Sequence, residues 1–177
     1  MTTGEQAEIT KLCGQRAANI YTARSYCCAE ALLAALHRGF NSEITEENAA
    51  RLGSGFCHGM GGAGCVCGAL AAAQMMIAWF LGPRQPQGMS KKEFSPLAQG
   101  LHDQFKERFG ATCCRTLLKR RKEQKGAECK ELTAGAAEMA ASLILAQRPE
   151  LAATVDLAYL RRRESKLGQM AKQLLGR

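Results

Sequence analysis

The chain is short of the residues that build sheets and interrupt helices. Valine and threonine are scarce, and only four prolines occur in 177 residues. Alanine, leucine, glutamate, lysine and arginine dominate instead, a mixture of high helix propensity and low strand propensity. A β-rich architecture is therefore excluded, and an all-α, single-domain helical bundle of six to eight helices with a Gly-rich loop is expected. Long apolar runs are missing too. The longest, Val66 to Leu81, carries Cys67, Gly68 and Gln74 and falls short of the ~20 residues a membrane-spanning helix needs. Residues Met1 to Gln6 lack the basic start and apolar core of a signal peptide, so the chain is read as soluble and cytoplasmic.

Several chemistries are excluded by what is absent. No Cys-x-x-Cys occurs, which argues against a zinc ribbon or a thioredoxin-type site. Cys-x-x-Cys-His is missing as well, so no c-type haem is attached. The glycine run Gly59-Met60-Gly61-Gly62-Ala63-Gly64 is followed by neither Lys-Ser nor Lys-Thr and follows no strand, which argues against a phosphate loop. There is no Ser/His/Asp set and no paired carboxylates on which to base a hydrolase, and whether the chain is an enzyme stays open.

What is present in excess is cysteine. The nine stand at 13, 27, 28, 57, 65, 67, 113, 114 and 129. An odd number without an export signal does not resemble a secreted disulfide framework. Free cysteine is a small, well-buried hydrophobe, which accounts for Cys13 but not for nine; thiols this numerous in a reducing compartment are ligands or redox groups. The net charge of +8 is uneven: residues 115–177 hold fourteen basic and seven acidic side chains. Lys119 to Lys122 and Arg161 to Arg163 are the basic foci. No aromatics interleave with them as base stacking requires, so they are read as solvated helix faces, with no specific nucleic acid as partner.

Three-four spacing of apolar residues predicts helices over about 3–24 and 27–38, the second ended by Gly39. Thr45 is the expected N-cap of a short helix over 46–52. Seven glycines in residues 53–68 then give a loop able to adopt positive φ and approach a ligand closely. Further helices are expected over 66–80, over 91–109 (capped by Ser90, stopped by Gly110), over 113–122 and over 128–147. A last helix is expected from Pro149 to about Leu175.

In this reading Cys28, Cys67, Cys114 and Cys129 all fall at helix starts, where N–H groups and the dipole favour thiolates and lower their pKa. Such thiolates can ligate a soft metal or attack a disulfide, and these four are the candidate metal ligands. The glycine loop, through Gly61, Gly62 and Gly64, is expected to point backbone amides at a bound cofactor. Cys57 and Cys65 are the expected additional cofactor-binding residues, since the loop can carry both beside Cys67. His58 is a candidate further ligand, with an exposed loop histidine the simpler reading; His37 and His102 read as helix-surface residues.

The same positions carry a resemblance. Cys28-Ala29-Glu30-Ala31, the glycine loop leading into Cys67-Gly68-Ala69, Phe109-Gly110 before Cys114-Arg115-Thr116-Leu117, and Cys129 resemble the C_GCAxxG_C_C family, named for four cysteines and a Cys-Gly-Ala-x-x-Gly motif and regarded as redox-active. The resemblance covers about residues 20–145, leaving the C-terminal helix of about 150–175 outside it. Two departures are visible: the motif's closing glycine is Ala72, and five cysteines exceed the family's four. Of the vicinal pairs Cys27-Cys28 and Cys113-Cys114, whose side chains point about 100° apart on a helix, the family register selects Cys28 and Cys114. The resemblance implies redox chemistry at a cysteine-held metal or iron–sulfur cluster, with a redox partner protein and self-association as a homodimer left open. A metal-free thiol–disulfide protein, another thiophilic metal, or a metal- or sulfur-carrying binding module are the alternatives.

Overall fold

The structure, a computed structural model, describes residues 3–84 and 88–174; part of the stretch between the helices expected over 66–80 and 91–109, and the end of the expected last helix, lie outside them. Every element among the described residues is helical, as the composition dictates. Four helices make the core: α1 (Thr3–Ala23), α2 (Cys28–Gly39), α5 (Gly68–Leu81) and α8 (Cys129–Gln147). Between α2 and α5 in sequence lie α3 (Glu46–Gly53) and the distorted single turn α4 (Cys57–Met60). The helix α6 (Lys91–Phe109) packs through Leu101, Phe105 and Phe109, and α7 (Cys114–Lys122) follows it.

Small residues explain how closely the core helices sit. Ala29, Ala31, Ala34 and Ala35 of α2, Ala69, Ala72 and Ala73 of α5, and Ala136, Ala137, Ala140 and Ala141 of α8 are all inaccessible to solvent. An apolar helix buried all round belongs at the centre of its fold, and α2 takes that place. The larger payload comes from Ile9 and Ile20 of α1, Leu32, Leu33 and Leu36 of α2, and Met76 and Ile77 of α5. Helix ends follow the sequence signals. Thr45 Oγ1 accepts from Asn48 N at 3.2 Å; Ser90 and Glu93 form a reciprocal capping box; Gly110 ends α6 at φ 81°. Pro96 falls in the second turn of α6, and the helix runs on through it.

Two expectations are corrected here. His37 is not a surface residue: it is 3% exposed, with its Nδ1 2.7 Å from Ser42 Oγ and its ring edge against Trp79. The helix expected from Pro149 onward is instead a 3-10 segment (Pro149–Thr154) and two short helices, α9 (Leu157–Arg161) and α10 (Lys166–Leu174). Tertiary contacts break it. Tyr159 and Leu160 must bury on the core, and Gly39 leaves the room, since a Cβ there would lie 2.7 Å from Leu160 Cδ2. Beyond α9 the chain stays extended at Arg162, so that Glu164 can meet Arg16 at 2.7 Å and Arg24 at 2.5 Å. The exposed Arg161–Arg163 focus pairs within the chain, with Glu8, Glu164 and Gln15. Among the described residues no helix is long and apolar enough to cross a membrane.

Acid should unfold this protein in two windows. Burial pushes the His37 pKa down from 6.5 to about 4, so between those values the unfolded chain binds more protons and stability falls as pH drops. The hydrogen bond from Arg24, and then that from Arg16, hold Glu164 down to about 2. Its contribution is complete above the ordinary carboxylate pKa and is lost as pH falls through 2. Urea midpoints at pH 7, 5 and 3 should decline stepwise. Glu164→Gln should lose on the order of 3 kcal/mol at pH 7, because the Arg16 side chain is left fully buried and uncompensated, and should flatten only the lower window.

Candidate functional site

Four cysteines from four helix starts line one cavity: Cys28, Cys67, Cys114 and Cys129. Cys28, Cys114 and Cys129 are the first residues of α2, α7 and α8, and Cys67 is the N-cap of α5. Leu117, Leu118, Ala127 and Leu132 supply apolar walls, and the enclosed space of about 20 Å³ holds the centre of about one water-sized group. A wider cleft of about 390 Å³, bordered by Tyr21, Tyr26, Cys27, His58 and Lys166, opens Cys28, Cys114 and Cys129 to solvent.

Local backbone contacts bring the helix starts together. Cys67 N donates to Thr112 O at 2.8 Å and Arg115 N to Gly64 O at 3.0 Å, which stitches the approach to α5 onto the approach to α7. The turn after α7 folds back through Lys125 N to Arg120 O at 2.9 Å, setting Cys129 beside Arg121. Helices α2 and α5 meet at Gly68, where a Cβ would stand 2.6 Å from Phe56 O and 2.8 Å from Cys28 Sγ. Gly59, at φ 74°, lies as close to Cys114, whose Cβ is 2.5 Å from the position a side chain would take.

Electrostatics here run against the expectation from helix starts. Burial, reinforced by the neighbouring thiols Cys67 and Cys129, pushes the Cys28 pKa up to about 12. Burial pushes Cys67 up to about 11, although the N–H groups of Leu70 and Ala69 oppose it. Cys114 rises for the same first reason, with Cys129 and Cys113 adding to it. Desolvation of a thiolate therefore outweighs the dipole at these positions. Cys113 shows the opposite balance: on the solvent side of the same helix start, the Thr116 N–H and then its hydroxyl lower its pKa.

The other cysteines are dispersed. Cys57, expected beside Cys67, is joined to Cys27 in a disulfide. Cys65 is exposed, with its thiol 3.7 Å from Gly59 O, outside the cavity wall yet near enough to raise Cys114. Cys113 donates to Gly64 O at 3.0 Å, and Cys13 is a fully buried core thiol. Gly61 and Gly62 are exposed with nothing within 4 Å of an added Cβ, and Gly61 N donates to Cys57 O at 2.9 Å. Gly64 is buried, but its carbonyl serves α7 and Cys113. His58 sits exposed at the cleft edge with φ 56°.

Arg121 is the residue the sequence reading missed. Assigned to a solvated face, it lines the cavity with Nη1 3.6 Å from Cys129 Sγ and 3.6 Å from Glu128 Oε2. The signal was available, since Arg121 follows Cys114 by seven residues, two turns along the same face of α7. Tyr21 of α1 lines the open cleft together with Cys129.

The profile of the family described as putative redox-active protein (C_GCAxxG_C_C) matches residues 26–143, a span that holds all four cavity cysteines. No curated protein matches the chain, and no solved structure does.

Gly68→Ala should be costly at this site. The new methyl overlaps a carbonyl oxygen of the backbone and the Cys28 sulfur, so α2 and α5 must part, at a cost of about 1–3 kcal/mol. Timed alkylation with mass spectrometry should show Cys28 and Cys67 reacting faster than in the wild type. Gly61→Ala, strained only by its φ of 63°, should cost about 1 kcal/mol and leave the labelling of both cysteines unchanged.

Proposed function

The chain belongs to the C_GCAxxG_C_C family of putative redox-active proteins, and from that premise we propose that its four-cysteine cavity holds a thiophilic metal centre, in the first instance an iron–sulfur cluster. One observation carries the reading: Cys28, Cys67, Cys114 and Cys129, spread over a hundred residues, line a single apolar cavity. Packing alone does not call for four thiols in one place, whereas four thiolates are the usual ligand set of a cluster.

The donor set suits the group. Among the described residues, no three of these four sulfurs lie within 4.8 Å of one another, unlike the trio Cys27, Glu30 and Cys57. A single tetrahedral ion with ~2.3 Å metal–sulfur bonds needs sulfurs about 3.8 Å apart; a wider spread favours a multinuclear centre. The enclosed space is small, and α7 is the wall best able to yield, since Leu117 is its one buried residue. Bound there, a cluster supplies one-electron transfer. Cys28, Cys67 and Cys114 give up their protons on binding, and Arg121 sets a positive charge beside Cys129. The leucines keep water from the far side, and the open cleft is the face from which a redox partner protein would approach. A cytoplasmic location forms part of the proposal, given seven free cysteines.

A second reading has its own observation. The Cys27–Cys57 disulfide and the acidified Cys113 thiol support a metal-free thiol–disulfide protein. Anaerobic purification with iron and sulfide reconstitution separates the two. The expected result is a brown protein whose visible absorption and iron content fall by at least half in each of the four cavity Cys→Ser variants and stay unchanged in Cys13→Ser. A colourless protein without metal, or serine variants with full iron content, would establish the second reading instead.

A further inference from the structure

We propose that Cys27, Cys57 and Glu30 form a second, redox-gated site for a thiophilic divalent cation, closed when the two cysteines are joined and opened when they are reduced. The two sulfurs and a Glu30 carboxylate oxygen all lie within 4.8 Å of one another. Cys27 is the N-cap of α2, Glu30 is three residues on, and Cys57 begins α4, with 5.5 Å between the cysteine Cα atoms. All three are partly open to solvent, and Cys27 borders the open cleft. None of the three lines the four-cysteine cavity, so the site stands or falls independently of the cluster proposed there.

Glu30 carries the argument beyond proximity. Its Oε2 accepts from Cys27 N at 2.8 Å and its Oε1 from Ser54 Oγ at 2.8 Å. Both donors are neutral, and among the described residues no arginine or lysine pairs with this carboxylate. It is thus a partly buried negative charge, aimed by two hydrogen bonds at a sulfur pair, without a cation of its own. Oriented ligands of this kind are what an outer shell of hydrogen bonds provides at metal sites.

The gate is chemical. In the disulfide both sulfurs are neutral and bonded to each other, and they make poor ligands. A dithiol reductant passes two electrons and two protons to the pair, becoming a disulfide itself while Cys27 and Cys57 become thiols. A soft divalent cation then displaces those two protons to solvent and binds two thiolates and one carboxylate oxygen. Two cysteines and one carboxylate leave a fourth position for water. Oxidation by a disulfide runs the sequence backwards and ejects the cation.

Cadmium is a suitable probe, because its thiolate bonds absorb in the ultraviolet. Full-length protein is compared before and after reduction with a dithiol that is then removed anaerobically. Reduced protein should bind one more equivalent than the untreated form, and the added cadmium should protect Cys27 and Cys57 from alkylation, as read by peptide mass spectrometry. Glu30→Gln keeps an acceptor for Cys27 N, and so keeps the helix cap, yet should weaken the added equivalent at least tenfold. Cys28→Ser should retain it, which distinguishes this site from the cavity. Equal cadmium uptake in both states, unprotected Cys27 and Cys57, or undiminished binding in Glu30→Gln would each overturn the proposal.

Discussion

At Gly68 the first turn of α5 rests directly on the start of α2, leaving no room for a methyl between the backbone, the Phe56 carbonyl oxygen and the Cys28 sulfur. Gly53 repeats the contact from the other side, its would-be Cβ 2.7 Å from Glu30 N. These two close approaches seat Cys28 and Cys67 on one cavity and set Glu30 and Ser54 within hydrogen-bonding reach. They also explain the run of alanines: helices joined at glycine contacts cannot carry large side chains at the next turns without being forced apart. The wall of leucines comes from α7 and α8.

The helix starts do two kinds of work, and burial decides which. Where the thiol faces solvent, at Cys113, the free N–H groups and hydroxyl of the first turn win and favour the thiolate. Where the thiol is buried against the cavity, at Cys28 and Cys67, desolvation and the company of other thiols win and favour the protonated form. Adjacent residues in one chain thus differ in chemistry because they point to opposite sides of one turn. A cation brought into the cavity reverses the local balance, since its charge compensates several thiolates at once. Arg121 adds a fixed positive charge to that side.

The C-terminal segment braces the core from a distance. Arg16 stacks over Tyr159 at 4.5 Å and meets Glu164, which Arg24 also holds. This pairing ties α1 to the chain after α9, and α1 in turn brings Tyr21 to the cleft that Cys129 also lines. The matched family region ends at residue 143, so the brace lies outside it, beside the site rather than in it.

Much of the fold was legible from local signals, because helix formation is decided within a few turns. Composition excluded strands; Thr45, Ser90 and Gly110 marked helix ends by capping chemistry that needs no distant partner. The four cysteine positions were also legible as helix starts. That they line one cavity depends on Gly59, Gly68 and the backbone bonds between 64–67 and 112–115, contacts between segments some fifty residues apart that no local pattern encodes. Tertiary structure alone decided the rest. It joined Cys57 to Cys27, buried His37, turned Arg121 inward, and broke the last helix so that Tyr159, Leu160 and Glu164 could reach their partners. Each is a choice between local preference and long-range packing or pairing, and the long-range contact won because it removes apolar surface or charge from an unfavourable setting.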